Sequence, residues 1–181
     1  MRVDGGLGND LALVAASARA SEAAGYDGVW TAEASHDPFF PLVQAVDHTE
    51  RLELGTAIAV AFARSPMTTA MAAWDLQRFS GGRFNLGLGS QIKAHIERRF
   101  SMAWSHPAPR MREFISALRT IWDCWQNGTK LDFRGDFYQH TLMTPFFDPG
   151  PIDQRPPTVF VAAVGEKMTA VAGEVADGML V

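Results

Sequence analysis

The sequence has a single cysteine, Cys124, so it cannot close an internal disulfide. A lone cysteine in a helical pattern points to inert packing in a reducing compartment, and the expected location is cytoplasmic. No stretch approaches the roughly 18 apolar residues needed to span a bilayer, and the first residues read as a short strand rather than a signal peptide. No membrane is expected as a partner. Excess positive charge is also missing, since 16 Lys and Arg against 20 Asp and Glu leave a formal net charge of -4. Nucleic-acid binders present clustered Lys and Arg to phosphates, so no nucleic-acid partner is expected. Metal-ligand spacing is absent too: His48 falls in a helical pattern, and His106 and His140 fall in loops. No metal site is expected.

What is present is apolar material, 47% of the chain against 20% charged, enough for one core spanning residues 1–181 as a single domain. Strand and helix signals alternate along it. Arg2 to Gly6 reads as a strand, followed by a helix capped near Asp10 and stopped at Gly25. Gly28 to Ala32 is a second strand; the loop Glu33 to Pro38 leads into a helix from about Phe39 to Thr49, with Asp37 as its expected cap. Leu54 to Val60 is a nearly continuous apolar run, as in a parallel strand covered on both faces. Ser65-Pro66 then supplies an N-cap and a proline at the first helical position. In that helix Met67, Ala70, Met71, Ala73 and Trp74 fall on one stripe, and Ser80-Gly81-Gly82 turns the chain into a fourth strand, Phe84 to Leu88.

Helical turns at His95 to Phe100 precede a long amphipathic helix from about Arg110 to Gln126, closed by Asn127-Gly128. Its Phe114, Leu118, Ile121, Trp122 and Trp125 recur at helical spacing. From Thr129 to Pro157 the period is lost, a pattern that fits either a binding element or a meander on the exterior. Val159 to Val164, a helix from Glu166 to Val175 and a run from Asp177 to Val181 bring the strand count to six.

Repeated βαβ units form either an open doubly wound sheet or a closed (β/α)₈ barrel, and a barrel needs eight strands in about 250 residues. Six strands, ending at Val181 in what reads as a buried apolar strand, lead us to expect the N-terminal portion of a longer barrel, inactive by itself. Active sites of such barrels lie at the C-terminal strand ends. That rule selects Glu33, Ser35, His36 and Asp37 after the second strand and Ala61 to Arg64 after the third. After the fourth and fifth it selects Gly89, Ser90, Gln91, Lys93, His95 and Gly165. Glycines at 87 and 89 fit either close approach by a ligand or tight packing. His36 with Asp37 could transfer a proton, although Asp37 reads more readily as a cap, and His95 fits either a ligand contact or a cap.

Four stretches together resemble a known family: GYDGVWTAEASHDPF at Gly25 to Phe39, LELGTAIAVAFARSP at Leu52 to Pro66, SGGRFNLGLGS at Ser80 to Ser90, and FVAAVGEKMTAVAGEVADG at Phe160 to Gly178. They are similar to the bacterial luciferase-like monooxygenase superfamily, and within it to oxidoreductases that use coenzyme F420. The resemblance implies an α/β fold of the (β/α)₈ TIM-barrel type, and hydride transfer between F420 and an unidentified small organic substrate. An FMN-dependent monooxygenase using reduced flavin and O₂, or a non-catalytic flavin-binding paralogue, is the alternative; a homodimer is among the expected partners. It also implies a non-proline cis peptide between Ala57 and Ile58, backing the deazaflavin ring. Glu33 is implied near the ring edge, Gly89, Ser90, Gln91 and His95 near the ring or its tail, and Gly165 near the phosphate. Sugar-phosphate dehydrogenases of the family carry a proton-donating glutamate where this chain has Ile92. Proton transfer is therefore expected to fall to Glu33, His36 or His95.

Overall fold

The alternation along the chain becomes a curled, wholly parallel sheet with its helices on the convex side. The computed structural model describes residues 1–181. In chain order its strands and helices are β1 (Asp4–Gly6), α1 (Val14–Ala23), β2 (Gly28–Thr31), α2 (Phe39–Asp47), β3 (Glu53–Thr56), β4 (Ala59–Val60), α3 (Pro66–Phe79), β5 (Phe84–Gly89), α4 (Lys93–Arg98), α5 (Pro107–Asn127), β6 (Phe133–Arg134), β7 (Gln139–His140), β8 (Thr158–Ala162), α6 (Glu166–Val175) and β9 (Gly178–Leu180). A single 3₁₀ turn, Ala61–Ala63, joins β4 to α3. The strands pair in the order β1-β2-β3-β5-β8-β9, with β4 alongside β5 beyond the end of β3. This is the half-barrel expected from six strand positions, with β6 and β7 forming a separate antiparallel hairpin.

Local chemistry explains most of the boundaries. Ser65 accepts a hydrogen bond from the Thr68 N–H at 3.1 Å, with Pro66 behind it, as the capping signal requires. Gly25 and Gly81 take positive φ, and the pairs Tyr26 N to Ser21 O and Gly82 N to Gln77 O close α1 and α3 as Schellman motifs. Asp10 caps a turn ahead of α1 instead of α1 itself: its Oδ1 accepts from Ala12 N, and the regular helix begins at Val14. The long helix α5 starts three residues before Arg110, because Pro107 and Pro109 sit in a first turn that needs no N–H donor.

Alternation sorts the side chains. On β8, Val159 and Val161 are buried against the helices, while Thr158, Phe160 and Ala162 face the concave side half-buried. Leu54, Leu86, Leu88, Val159 and Val161 meet Leu42, Trp74, Phe114, Leu118 and Trp122 of the helices in one continuous apolar cluster. The buried face of α3 is displaced from the stripe its sequence suggests, taking in Thr69, Leu76 and Gln77 and leaving out Met71. Ala70, Ala73, Trp74 and Gln77 form the buried i, i+3, i+4, i+7 row, and Met71, one residue round from Ala70, is 53% exposed.

Two further expectations are corrected. The run Leu54 to Val60 is not one strand but two, β3 and β4, and the break between them shapes the mouth of the sheet. The final run is an edge strand rather than a buried one: β9 ends the sheet order and Met179 on it is 42% exposed. Asp177 stands outside that strand, where its Oδ2 accepts from Val159 N at 2.8 Å and from Arg119 at 3.1 Å.

The aperiodic stretch 129–157 is a meander on the exterior. The β6–β7 hairpin returns to the start of α5, where the Glu113 carboxylate accepts from the N–H groups of Asp136, Phe137 and Tyr138. Further on, Trp74 donates to Gly150 O, Gln77 to Arg155 O and Gln126 to Ile152 O, which ties the stretch to α3 and α5. No helix of the protein is long and apolar enough to cross a membrane.

Candidate active site at the mouth of the sheet

The break between β3 and β4 is a bulge. From the Gly55–Asn85 pair to the Ala59–Leu88 pair, the β3–β4 side advances four residues while β5 advances three. The peptide bond between Ala57 and Ile58 inside this bulge is cis, at the position that the resemblance implied. Both neighbouring strands hold it. Towards β2, Ala57 N donates to Thr31 O at 2.6 Å and Glu33 N to Ile58 O at 3.1 Å. Towards β5, the Thr56 hydroxyl donates to Gly87 O at 2.7 Å and accepts from Gly87 N at 2.9 Å.

Glycine is required at 87 by the backbone opposite it, and at 89 its missing side chain makes room for Ile58. A Cβ on Gly87 would lie 1.8 Å from Thr56 O, and one on Gly89 would lie 2.7 Å from the Ile58 side chain. Ile58 is thereby seated flat on β5 and half-buried, while Ala57 is exposed at the rim. The rim and the concave face together bound a cavity of about 710 Å³, lined near the mouth by Ala32 and Ala57 and deeper by Trp30, Thr31 and Phe160. Trp30 and Phe160 meet edge to face with ring centres 5.7 Å apart. At the opposite end the floor is polar. Arg2 and Asn85 both donate to Glu53, at 2.9 and 3.0 Å, and Trp30 Nε1 donates to Asp4. Those bonds, chiefly the one from Arg2, hold the Glu53 carboxyl below its ordinary range against the opposing effect of burial.

The expected proton carriers differ in their surroundings. Glu33 is not a free acid at the mouth: its Oε2 accepts from Val60 N at 2.7 Å and from Arg64 at 2.5 Å, with only 6% of the side chain exposed. Asp37 caps α2, as expected, through Phe39 N at 2.9 Å, and its second oxygen accepts from Arg64 at 2.7 Å. His36 and His95 are exposed and make no side-chain hydrogen bond within the protein. They lie on segments joined by Arg99, which ends α4 and donates to Ala34 O in the loop after β2. Ile92, 58% exposed, offers no titrating group.

Ser90 and Gln91 leave β5 at the same rim. Gln91 adopts a left-handed backbone (φ 59) and accepts from Ile92 N through its own side chain, and Ser90 donates to Gln91 O. Gly165 is exposed and begins α6 with no side-chain cap, which leaves the first backbone N–H groups of that helix available to an anion. Of the expected cofactor contacts, Ile58 and Gly89 touch each other, Ala57 lines the cavity, and Gly165 stands one strand further along at the end of β8.

Arg64 falls in the stretch that the strand-end rule selects, but the sequence assigns it no partner; in the structure it pairs with Glu33 and Asp37. It is the one charged residue between Leu54 and Ser65, a signal visible in the sequence, but its partners lie 27 and 31 residues earlier. Arg110, which the sequence reading does not single out, donates to the Tyr138 hydroxyl and to Ala103 O while lying 4.5 Å from the centre of the Phe62 ring, so it ties the 99–106 loop to the 3₁₀ turn. Burial raises the Tyr138 hydroxyl above its ordinary value, although Arg110 opposes the shift. No group of three or more His, Cys, Asp or Glu side chains is arranged to hold a metal ion.

This architecture has counterparts among known proteins. The family model described as luciferase-like monooxygenase matches residues 2–181. An uncharacterized protein of Mycobacterium tuberculosis is 62% identical over 180 residues, covering 99% of this chain and 53% of its own length. A putative coenzyme F420-dependent oxidoreductase of the same organism is 33% identical over 184 residues, covering 95% of this chain and 50% of its own length. The chain thus spans about half the length of the curated relatives it matches. Among solved structures, a monooxygenase from Streptomyces bottropensis superposes with a TM-score of 0.82 at 21% identity, over 99% of this chain and 59% of that one. The matching family model and the shared partial barrel lead to one conclusion: the chain belongs to the luciferase-like monooxygenase family.

Proposed function

We propose that this protein contributes the cofactor-binding half of an F420-dependent oxidoreductase, one that transfers a hydride between the deazaflavin and a small organic substrate in the cytoplasm. The observation that carries this reading is the 33% identity, over 95% of the chain, with a putative F420-dependent oxidoreductase. The mouth fits a flat ring, with Ile58 pressed on Gly89 and Ala57 open at the rim. Bound F420 supplies the carbon that gives or accepts the hydride.

The chain's own residues do the remaining work. The Ala57–Val60 segment supports one face of the ring, and Ile58 keeps water from that face. Ser90 and Gln91 offer hydrogen bonds along the ring edge and tail, and the start of α6 after Gly165 offers backbone N–H groups to a phosphate. Glu33 is committed to Val60 and Arg64, so the proton that accompanies hydride transfer passes through an imidazole nitrogen of His36 or His95. The test is oxidation of reduced F420 by the purified full-length oxidoreductase that contains this half, against a panel of organic acceptors, repeated with His36→Ala, His95→Ala and both together. Turnover that survives in the double variant would remove the histidines from the scheme, and oxygen consumption with reduced FMN in place of F420 turnover would replace the reading altogether.

A further inference from the structure

Arg64 closes a ring of contacts around the bulge. Its Nη1 donates to Glu33 Oε2 at 2.5 Å and to Val60 O at 3.3 Å, and its Nη2 donates to Asp37 Oδ2 at 2.7 Å. The guanidinium lies 5.4 Å from the centre of the Phe39 ring, with 18% of the side chain exposed. Glu33 in turn holds the bulge at two points, by its own N–H to Ile58 O and by Oε2 to Val60 N. Asp37, held from the other arm of the fork, starts α2 by accepting from Phe39 N. One arginine therefore fixes the loop after β2, the first turn of α2 and the segment Ile58–Val60 relative to one another.

We propose that Arg64 is a positioning residue, which through Glu33 and Asp37 holds the Ala57–Val60 bulge in the shape on which the cofactor ring rests. This rests on the reading of the mouth as an F420 site. Arginine suits the place because its planar fork reaches two carboxylates in different directions at once. A lysine is a single point charge on a flexible stem and holds one of them well. Removing the fork leaves Glu33 buried without its cation, and the carboxylate that grips Val60 N is then free to turn away.

The test uses Arg64→Lys, Arg64→Met and Glu33→Gln in the purified protein, with Val14→Ala, buried in α1 and making no hydrogen bond to Arg64, Glu33 or Asp37, as a control for lost stability. Two quantities are read: hydrogen exchange of the peptide covering residues 57–62, and F420 affinity from quenching of its fluorescence. Arg64→Met is expected to speed exchange in that peptide and to weaken F420 binding by about tenfold or more, the scale typical of lost supporting contacts. Arg64→Lys falls between it and the unaltered protein. The proposal is overturned if Arg64→Met binds F420 as the unaltered protein does, or loses no more affinity than Val14→Ala. If the unaltered protein binds neither F420 nor FMN, it is the functional reading that fails, and exchange decides alone: acceleration confined to 33–37 and 57–62 supports the positioning role, and unchanged exchange overturns it. Should Arg64→Met not fold, Arg64→Lys and the near-isosteric Glu33→Gln carry the same comparison.

Discussion

The hydroxyl of Thr56 takes the place of a peptide group opposite Gly87, accepting from its N–H at 2.9 Å and donating to its C=O at 2.7 Å. The bulge interrupts the backbone ladder between β3 and β5 at this level, and a side chain completes it. Gly87 has to be glycine for the same reason: Thr56 O occupies the space of a Cβ. The mouth of the sheet therefore depends on a threonine and a glycine 31 residues apart.

Thr56→Val keeps the shape and removes both hydrogen bonds, leaving the buried Gly87 N–H without a partner. We expect a loss of about 1–3 kcal/mol, read by urea denaturation, with Thr56→Ser close to the unaltered protein. Equal stability of Thr56→Val would mean that the ladder is satisfied some other way.

Gly87→Ala and Gly55→Ala separate a rigid clash from a yielding one. The new methyl at 87 meets a backbone oxygen at 1.8 Å, whereas at 55 it meets the Trp30 ring at 2.3 Å, and that ring borders the open cavity. Parting β3 from β5 should cost about 3 kcal/mol or more, at the upper end for overpacking, and turning Trp30 should cost less. The reverse order in a denaturation series would contradict the packing described.

Stability should fall in two stages as the solution is acidified. Burial lowers the pKa of His140 from its usual 6.5, and its Nε2 has no hydrogen-bond partner. Its neutral form therefore contributes stability that is fully present above 6.5 and is lost as the pH falls towards the folded-state value. Glu53, held low chiefly by Arg2, and Glu22, whose desolvation is outweighed by the combined backbone N–H groups of Arg51, Leu52 and Glu50, are depressed from 4.5 and act below that. Unfolding midpoints from about pH 8 to about pH 2.5 should show His140→Phe abolishing only the first stage and Arg2→Met weakening the second. An unchanged first stage in His140→Phe would assign it elsewhere.

Ala57→Leu tests the rim without disturbing the core, because Ala57 is exposed and borders the cavity. Its stability should stay within about 0.5 kcal/mol of the unaltered protein, as for other surface changes, while F420 affinity falls. A stable variant with undiminished affinity would move the cofactor off this segment.

How much of this was legible follows from where the information sits. Ser65-Pro66, Gly25 and Ser80-Gly81-Gly82 declare helix ends by local chemistry, and each structural boundary agrees with them. The apolar run Leu54 to Val60 carries no mark of its bulge, because the extra residue is defined only by pairing with β5; family resemblance, and not the pattern, located the Ala57–Ile58 bond. Met71 lies outside the buried face although its sequence places it inside, because the polar Thr69 and Gln77 are buried in its stead and the apolar pattern alone does not show that. Glu33 was marked as chemically active by its strand-end position, but its partner Arg64 comes from another βα unit, and only the folded chain brings the two together.

The most direct test of the central claim is a competitive titration of the purified protein with F420 and FMN, followed by F420 fluorescence and visible absorbance. The account predicts saturable quenching of F420 that excess FMN reverses poorly and that Ala57→Leu weakens. Tight FMN binding with a two-band flavin spectrum, and no quenching of F420, would contradict it.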